Sequence, residues 1–175
     1  MADLQTIAAI MDPRAATLAY VGDGNNVANS LILLCAVMGM RLGVAAPAGH
    51  QPSVRVMQRA EKLASLSRAE IRVSEDPAEV VRGADFIYTD TWTSMGQEAE
   101  AEARRKIFEP YQVNQALVEL APKAWLMHCL PAHRGEEITS ELLDGERSLV
   151  YEQAENRLHA QKAILERLML PSLAL

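Results

Sequence analysis

Four short polar segments in this 175-residue chain carry side chains able to bind or transform a small molecule. The first is Gly22-Asp23-Gly24-Asn25-Asn26, directly after the apolar run Leu18-Ala19-Tyr20-Val21. Two glycines suit a tight turn, with Asn26 capping the helix that follows. Amides at such a helix start also suit a carboxylate or another small polar group. The second segment, Asp90-Thr91-Trp92-Thr93-Ser94-Met95-Gly96, sets a carboxylate at the end of an apolar strand. There Asp90 either caps a turn or holds an ammonium, since an unpaired carboxylate in that position is costly. Ser94 adds a hydrogen bond, and Met95 adds backbone groups and an apolar side chain for an aliphatic stem.

The third segment runs from His128-Cys129-Leu130-Pro131 to Glu136-Glu137. His128 and Cys129 each read as strand core or as site residues; the break at Pro131 favours the site for Cys129. No constellation for a cysteine nucleophile accompanies it, and His128 with His133 follows no metal-ligand spacing rule, so no metal is expected. Arg134, Glu136 and Glu137 read as a loop ion pair and a helix start. In the fourth segment, Glu155-Asn156-Arg157, Arg157 is either surface charge or a cation able to polarise an oxygen. A nicotinamide-dinucleotide site is disfavoured. Val27 stands where a third glycine belongs, and Ala45-Ala46-Pro47 offers no acidic residue for a ribose. The Lys-Ser/Thr of a phosphate loop is also missing from the turn.

These segments need elements to position them. Apolar spacing predicts a short helix over 2–11, stopped by Asp12-Pro13, and a strand over 17–21. A largely apolar helix over 27–38 follows, then a strand over 41–46, a helix near 53–65 and a short strand at Ile71 and Val73. Asp76-Pro77 opens another helix that ends near Gly83. A strand over 85–90 precedes residues 97–107, whose Glu98, Glu100, Glu102 and Arg104-Arg105-Lys106 read as one solvated helix face. The pattern then predicts a helix over 111–120, a strand at 125–129 with Trp125 and Leu126 in the core, and a brief helix at 139–143. A last strand over 148–151 and a closing helix over 156–170 complete the chain. Strand and helix alternate with no hairpin signal. The predicted fold is therefore a single α/β domain: an open, doubly wound, Rossmann-like parallel sheet with helices on both faces. Ligands in such sheets sit beyond the carboxyl ends of the strands, where all four polar segments fall.

Bulk properties narrow the function classes. A hydrophobic content of 49% over this length supports one aliphatic core, because aromatics make up only 5%. The net charge of −6, with no basic stripe, argues against nucleic acid. The longest apolar stretch, Leu31 to Met40, is too short to span a bilayer, so no membrane role is expected. Cys35 and Cys129 make no disulfide framework, and the opening MADLQTIAAIMDPR is no secretory signal; a cytoplasmic setting is the expectation.

Taken together, ADLQT at 2–6, YVGDGNNVANSL at 20–31, DTWTSMGQE at 90–98, MHCLPAHRGEE at 127–137 and YEQAENR at 151–157 resemble one family. The chain is similar to the C-terminal, amino-acid-binding half of ornithine carbamoyltransferases, within the aspartate/ornithine carbamoyltransferase family. The resemblance covers essentially the whole chain, and the Ser-Met-Gly element resembles the ornithine branch. It implies attack by the side-chain amine of L-ornithine on carbamoyl phosphate, giving citrulline and phosphate, with no cofactor. It assigns Asn26 to the backbone end of ornithine, and Asp90, Ser94 and Met95 to the rest of that clamp. Cys129 and the Leu130 carbonyl fall near the reacting amine and carbamoyl group, and Arg157 near the carbamoyl oxygen. Asp90, Cys129 and Arg157 are the expected catalytic group; His128 shares the motif with a less direct role.

The family also carries a Ser-x-Arg-Thr-Arg phosphate turn and a His-Pro-x-Gln element, neither of which occurs in these residues. The expectation is an amino-acid-binding domain over 16–154. A linking helix over 1–15 and a closing helix over 155–175 serve an N-terminal domain that also builds the family's trimer. Carbamoyl phosphate would bind only with that domain supplied, the chain by itself would be inactive, and its uncovered apolar surface around Leu158, Leu165 and Leu168 would favour self-association. The competing readings are a non-catalytic amino-acid-binding or interaction module derived from the enzyme, and a carbamoyltransferase for another amine such as putrescine.

Overall fold

The computed structural model describes residues 1–93 and 98–170. The helices are α1 (Ala2–Ile10), α2 (Asn26–Met38), α3 (Val54–Ser67), α4 (Pro77–Val81), α5 (Ala101–Phe108), α6 (Gln115–Val118), α7 (Ser140–Leu143) and α8 (Val150–Met169). The strands are β1 (Thr17–Val21), β2 (Arg41–Ala45), β3 (Glu70–Ser74), β4 (Phe86–Thr89) and β5 (Trp125–His128). They form one five-stranded sheet in the order β3-β2-β1-β4-β5. Every pairing between these strands is parallel, as the strand-helix alternation predicts.

Period-two alternation divides the sheet between two cores. Leu18 and Tyr20 of β1 join Leu42, Val44, Phe86, Tyr88 and Met127 in one apolar layer, under Leu31, Ile32 and Cys35 of α2. Ala19 and Val21 point into the other layer with Ala45, Ile87, Leu126, Val80 of α4 and Phe108 of α5. A one-residue slip would exchange the two faces, so burial on both sides fixes the register. At about 1.5–3 kcal/mol for each large apolar side chain buried, either layer outweighs any single polar contact.

The strand order reverses direction between β1 and β4, so the crevice outside their carboxyl ends is the expected ligand position. The register aligns Val21 with Thr89, and Thr89 with His128. The next residues, Gly22, Asp90 and Cys129, therefore leave the sheet side by side. Three sequence segments are brought to one edge by backbone pairing alone.

Four local expectations are corrected. The strand predicted over 148–151 is a single bridge, Ser148 to Leu126. Leu149 and Val150 are buried, which imitates a strand, but Val150 and Gln153 already lie on the inner face of α8 at helical spacing. The helix predicted over 111–120 contracts to α6, which Asn114 caps by accepting from the Leu117 amide. Asn25, not Asn26, caps α2. Arg104 does not belong to a solvated face: it is 5% exposed and packed on the Phe108 ring. Arg105 and Lys106 do lie at the surface. Leu126 is buried as predicted, whereas Trp125 is half-buried at the edge.

Candidate active site

The turn after β1 is shaped by two close approaches. Gly22 has φ +144°, a conformation that side chains disfavour. Gly24 donates its amide to the His50 carbonyl at 2.7 Å, and a Cβ there would fall 2.4 Å from the Gln51 carbonyl carbon and the Pro52 nitrogen. The loop at 50–52 therefore presses directly on the turn. Asn25 follows, and its Oδ1 accepts from the Val27 and Ala28 amides at 2.9 and 3.1 Å. Those amides are thereby committed to the cap and not to a ligand. The neighbouring Asn26 is left exposed, with its side chain outside the cap.

The Asn25 side chain also reaches across the crevice. Its Nδ2 donates to Asp90 Oδ2 at 2.8 Å, and Cys129 Sγ donates to Asp90 Oδ1 at 3.0 Å. Asp90 is 7% exposed and so has one donor on each oxygen. It is not a simple turn cap. Burial, followed by the Asp90 charge, pushes the Cys129 thiol up to about 12. At neutral pH it is a thiol donor and no nucleophile, in keeping with the missing nucleophile constellation.

Behind Cys129 lies a polar network that the sequence reading divided incorrectly. The Leu130 amide donates to His128 Nδ1 at 2.9 Å, so that nitrogen carries no proton. The proton is on Nε2, which faces Glu137 Oε1 at 3.1 Å. Both side chains are wholly buried. Glu137 Oε1 also accepts from the His133 amide at 2.6 Å. Glu137 is therefore the partner that fixes the His128 tautomer, and through it the Leu130 backbone, which is left-handed at φ +55°. It is not part of a surface ion pair. Arg134 pairs instead with Asp144, and Glu136 with Arg105.

Asn26, Cys129 and Arg157 line one cleft of about 400 Å³, with Asp3, Tyr88 and Gln153. Gln153 ties its base together. It accepts from the His128 amide at 3.0 Å and donates to Asp3 at 2.6 Å and to the Tyr88 hydroxyl at 3.0 Å. Asn156, one residue before Arg157, donates to Thr6 of α1 at 2.9 Å. Arg157 itself is exposed at the cleft wall. Ser94 and Met95 lie outside the described residues. A larger cavity of about 1080 Å³ lies between α3 and the β2-β3 edge; it reaches Gln51 and Pro52 but is not lined by Asn26, Asp90, Cys129 or Arg157.

The other side of the turn is braced by Arg104. It pairs with Asp23, donates through Nε to the Trp92 carbonyl at 2.7 Å and approaches His50 Nδ1 at 3.4 Å. Burial raises Asp23 above the ordinary 3.8 despite the opposing pull of Arg104 and His50. The sequence reading misassigned Arg104 and Glu137 and gave no role to Asp3 or Gln153. Only the spacing of Arg104 and Phe108, four residues apart with aromatic character on one helix face, offered a sequence signal.

An open parallel sheet with a polar crevice at its switch point is a small-molecule-binding α/β domain. Residues 14–168 match the family described as "Aspartate/ornithine carbamoyltransferase, Asp/Orn binding domain". The chain belongs to this family. It is 54% identical over 170 residues to an ornithine carbamoyltransferase of Methanothermobacter thermautotrophicus, covering 97% of this chain and 56% of that protein. The structure of the ornithine carbamoyltransferase from Pyrococcus furiosus superimposes with TM-score 0.89 at 50% identity, over 94% of this chain and 53% of the other. That of Gloeobacter violaceus gives 0.86 at 49% identity, over 94% and 55%. The chain thus spans about half the length of the relatives it matches. Among the described residues no helix is long and apolar enough to cross a membrane.

Proposed function

We propose that this chain is the amino-acid-binding half of a carbamoyltransferase that moves the carbamoyl group of carbamoyl phosphate to the side-chain amine of L-ornithine. The observation that carries this reading is the convergence of Asn26, Cys129 and Arg157 on one cleft, with Asp90 bonded to Cys129 at its back. In this reading Asn26 holds the amino-acid end of ornithine, and Asp90, Ser94 and Met95 form the rest of the clamp. The side-chain amine lies toward Cys129 and the Leu130 carbonyl. Arg157 polarises the carbamoyl oxygen as the tetrahedral centre forms. The ammonium gives one proton to solvent, and the neutral amine bonds to the carbonyl carbon. The carbon–oxygen bond to phosphate breaks with its electron pair going to phosphate, and the nitrogen's surplus proton passes to the departing phosphate. Orientation and charge complementarity supply the catalysis.

Carbamoyl phosphate would be held mainly by a part of the enzyme outside these residues. The groove of about 640 Å³ between α1 and α8, lined by Leu4, Ala8, Ile164 and Leu168, would receive that part. We assign residues 1–15 and 155–175 to this linking role and 16–154 to amino-acid binding, in a trimer-forming cytoplasmic enzyme. Calorimetry tests the binding half directly. L-ornithine should bind the 175-residue chain, and Asp90→Asn should weaken it at least about 10-fold, since a hydrogen bond to a charged group is worth about 1.5–3 kcal/mol. Ornithine binding unaffected by Asp90→Asn would remove the assignment. Binding of putrescine equal to that of ornithine would redirect it to another amine.

A further inference from the structure

The Glu137 carboxylate divides its work unequally. Oε1 takes two hydrogen bonds, from His128 Nε2 and the His133 amide. Oε2 is buried and has no hydrogen-bond partner among the described residues. A buried anionic oxygen without a donor is expensive, so its surroundings matter. His133 Nδ1 lies 3.9 Å from it. The Glu136 carboxylate is close by, and one ligand atom from each of His133, Glu136 and Glu137 lies within 4.8 Å of the others.

We propose that His133, Glu136 and Glu137 form a binding site for a divalent transition-metal cation such as Zn²⁺, distinct from the ornithine cleft. One imidazole and two carboxylates are ordinary ligands for such an ion, and their summed charge of −2 matches it. Bonds of about 2.0–2.2 Å would bring ligand atoms to roughly 3.4 Å apart in a tetrahedron, leaving one open position. His133 is half exposed, and closing its 3.9 Å separation from Glu137 Oε2 takes a shift of about half an ångström, with Glu136 closing from within 4.8 Å. Gln112 Nε2 holds the loop by donating to both the Gly135 and Glu136 carbonyls at 2.9 Å. Arg105 engages one Glu136 oxygen and leaves the other for the ion. The ligand sphere then ends at Glu137 Oε2, whose sister oxygen holds His128.

The test is a Zn²⁺ calorimetric titration of the 175-residue chain in metal-free buffer, paired with a Co²⁺ titration followed by absorption. Among the described residues Asp90, His128 and Cys129 form the other group with ligand spacing, so both titrations are repeated in Cys129→Ser. The expected result is one equivalent of metal bound in both proteins. The Co²⁺ complex should show ligand-field bands without a thiolate charge-transfer band. His133→Ala should weaken binding by more than about 100-fold, beyond the usual cost of losing an outer-sphere partner. Glu136→Gln should weaken it as well, and both exchanges lie toward the surface, where folding is preserved. A thiolate band in the wild-type chain, the absence of stoichiometric binding, or affinity unchanged by His133→Ala would each overturn the proposal.

Discussion

Cys129 Sγ donates to Asp90 Oδ1 at 3.0 Å, while the second Asp90 oxygen accepts from Asn25 at 2.8 Å. One carboxylate thus joins the ends of β4 and β5 to the cap of α2. The pairing also governs the chemistry of the thiol. Burial and the Asp90 charge hold Cys129 near 12, against an ordinary 9.0. At pH 8 its alkylation should be slower than that of a free thiol by up to about 1000-fold, the thiolate deficit implied by that gap. Asp90→Asn should accelerate it, because a negative neighbour is removed. Mass-spectrometric kinetics against a free cysteine peptide, with buried Cys35 reporting any unfolding, check both statements. The raised value also sets a direction for stability. The contribution is intact below 9.0 and is lost as pH rises toward about 12, where the unfolded chain releases its proton first.

Exchange of Glu137 for Gln should destabilise the domain by about 1.5–3 kcal/mol, the range for a hydrogen bond to a charged group. The His128 Nε2–H keeps an oxygen partner only if the amide orients its carbonyl toward it, and the His133 amide then competes for the same atom. Urea denaturation measures the loss. A variant as stable as the parent would show that the buried carboxylate contributes no net stability.

Gly24→Ala places a methyl 2.4 Å from two backbone atoms of the 51–52 junction. Backbone cannot rotate aside as a side chain can, so an overpacking cost of about 1–3 kcal/mol is expected. Asn25 adjoins the displaced residue, and ornithine affinity should fall in parallel. Thermal denaturation and calorimetry on one preparation test the two effects together.

Arg104→Ala removes the cation beside Asp23 and should cost about 3–5 kcal/mol, as expected for breaking a buried ion pair. Arg104→Lys should recover only part, because a lysine cannot bond the Trp92 carbonyl and Asp23 with one planar fork. The pH profile carries a sign. Asp23 already sits above its ordinary value, so its contribution favours folding at acid pH and declines as pH rises through the folded value. Without Arg104 the Asp23 titration moves higher still, and the loss of stability between acid and neutral pH should steepen. Denaturation midpoints across that interval provide the measurement.

The parallel sheet was legible because its signal is cumulative: six predicted strands alternating with helical patterns, five of which pair in the sheet, leave few other architectures. The clustering of Gly22, Asp90 and Cys129 followed from the same alternation, since strand ends in such a sheet share one edge. What escaped was decided by partners distant in sequence. Arg104 looks like its charged neighbours until Asp23, 81 residues earlier, is placed against it. Glu137 looks like Glu136 until His128 is found beside it. Asn25 and Asn26 differ only in which one reaches the helix amides, and a one-residue choice of that kind rests on backbone torsions that composition does not carry. Leu149 and Val150 misled for the opposite reason: burial was read correctly and its period was not.

Helix α8 is one uninterrupted rod of 20 residues, pinned at Gln153 to the sheet, Asp3 and Tyr88. At about 1.5 Å per residue, Arg157 lies roughly 6 Å beyond that pivot and Leu168 roughly 22 Å beyond it. Any displacement of the exposed apolar end is therefore reduced about fourfold at the guanidinium's helical anchor. An adjustment of 1 Å at the far end becomes only about a quarter of an ångström at Arg157. The rod thus works as a reduction lever, able to accept imprecise seating at its tip while keeping the cleft wall in register.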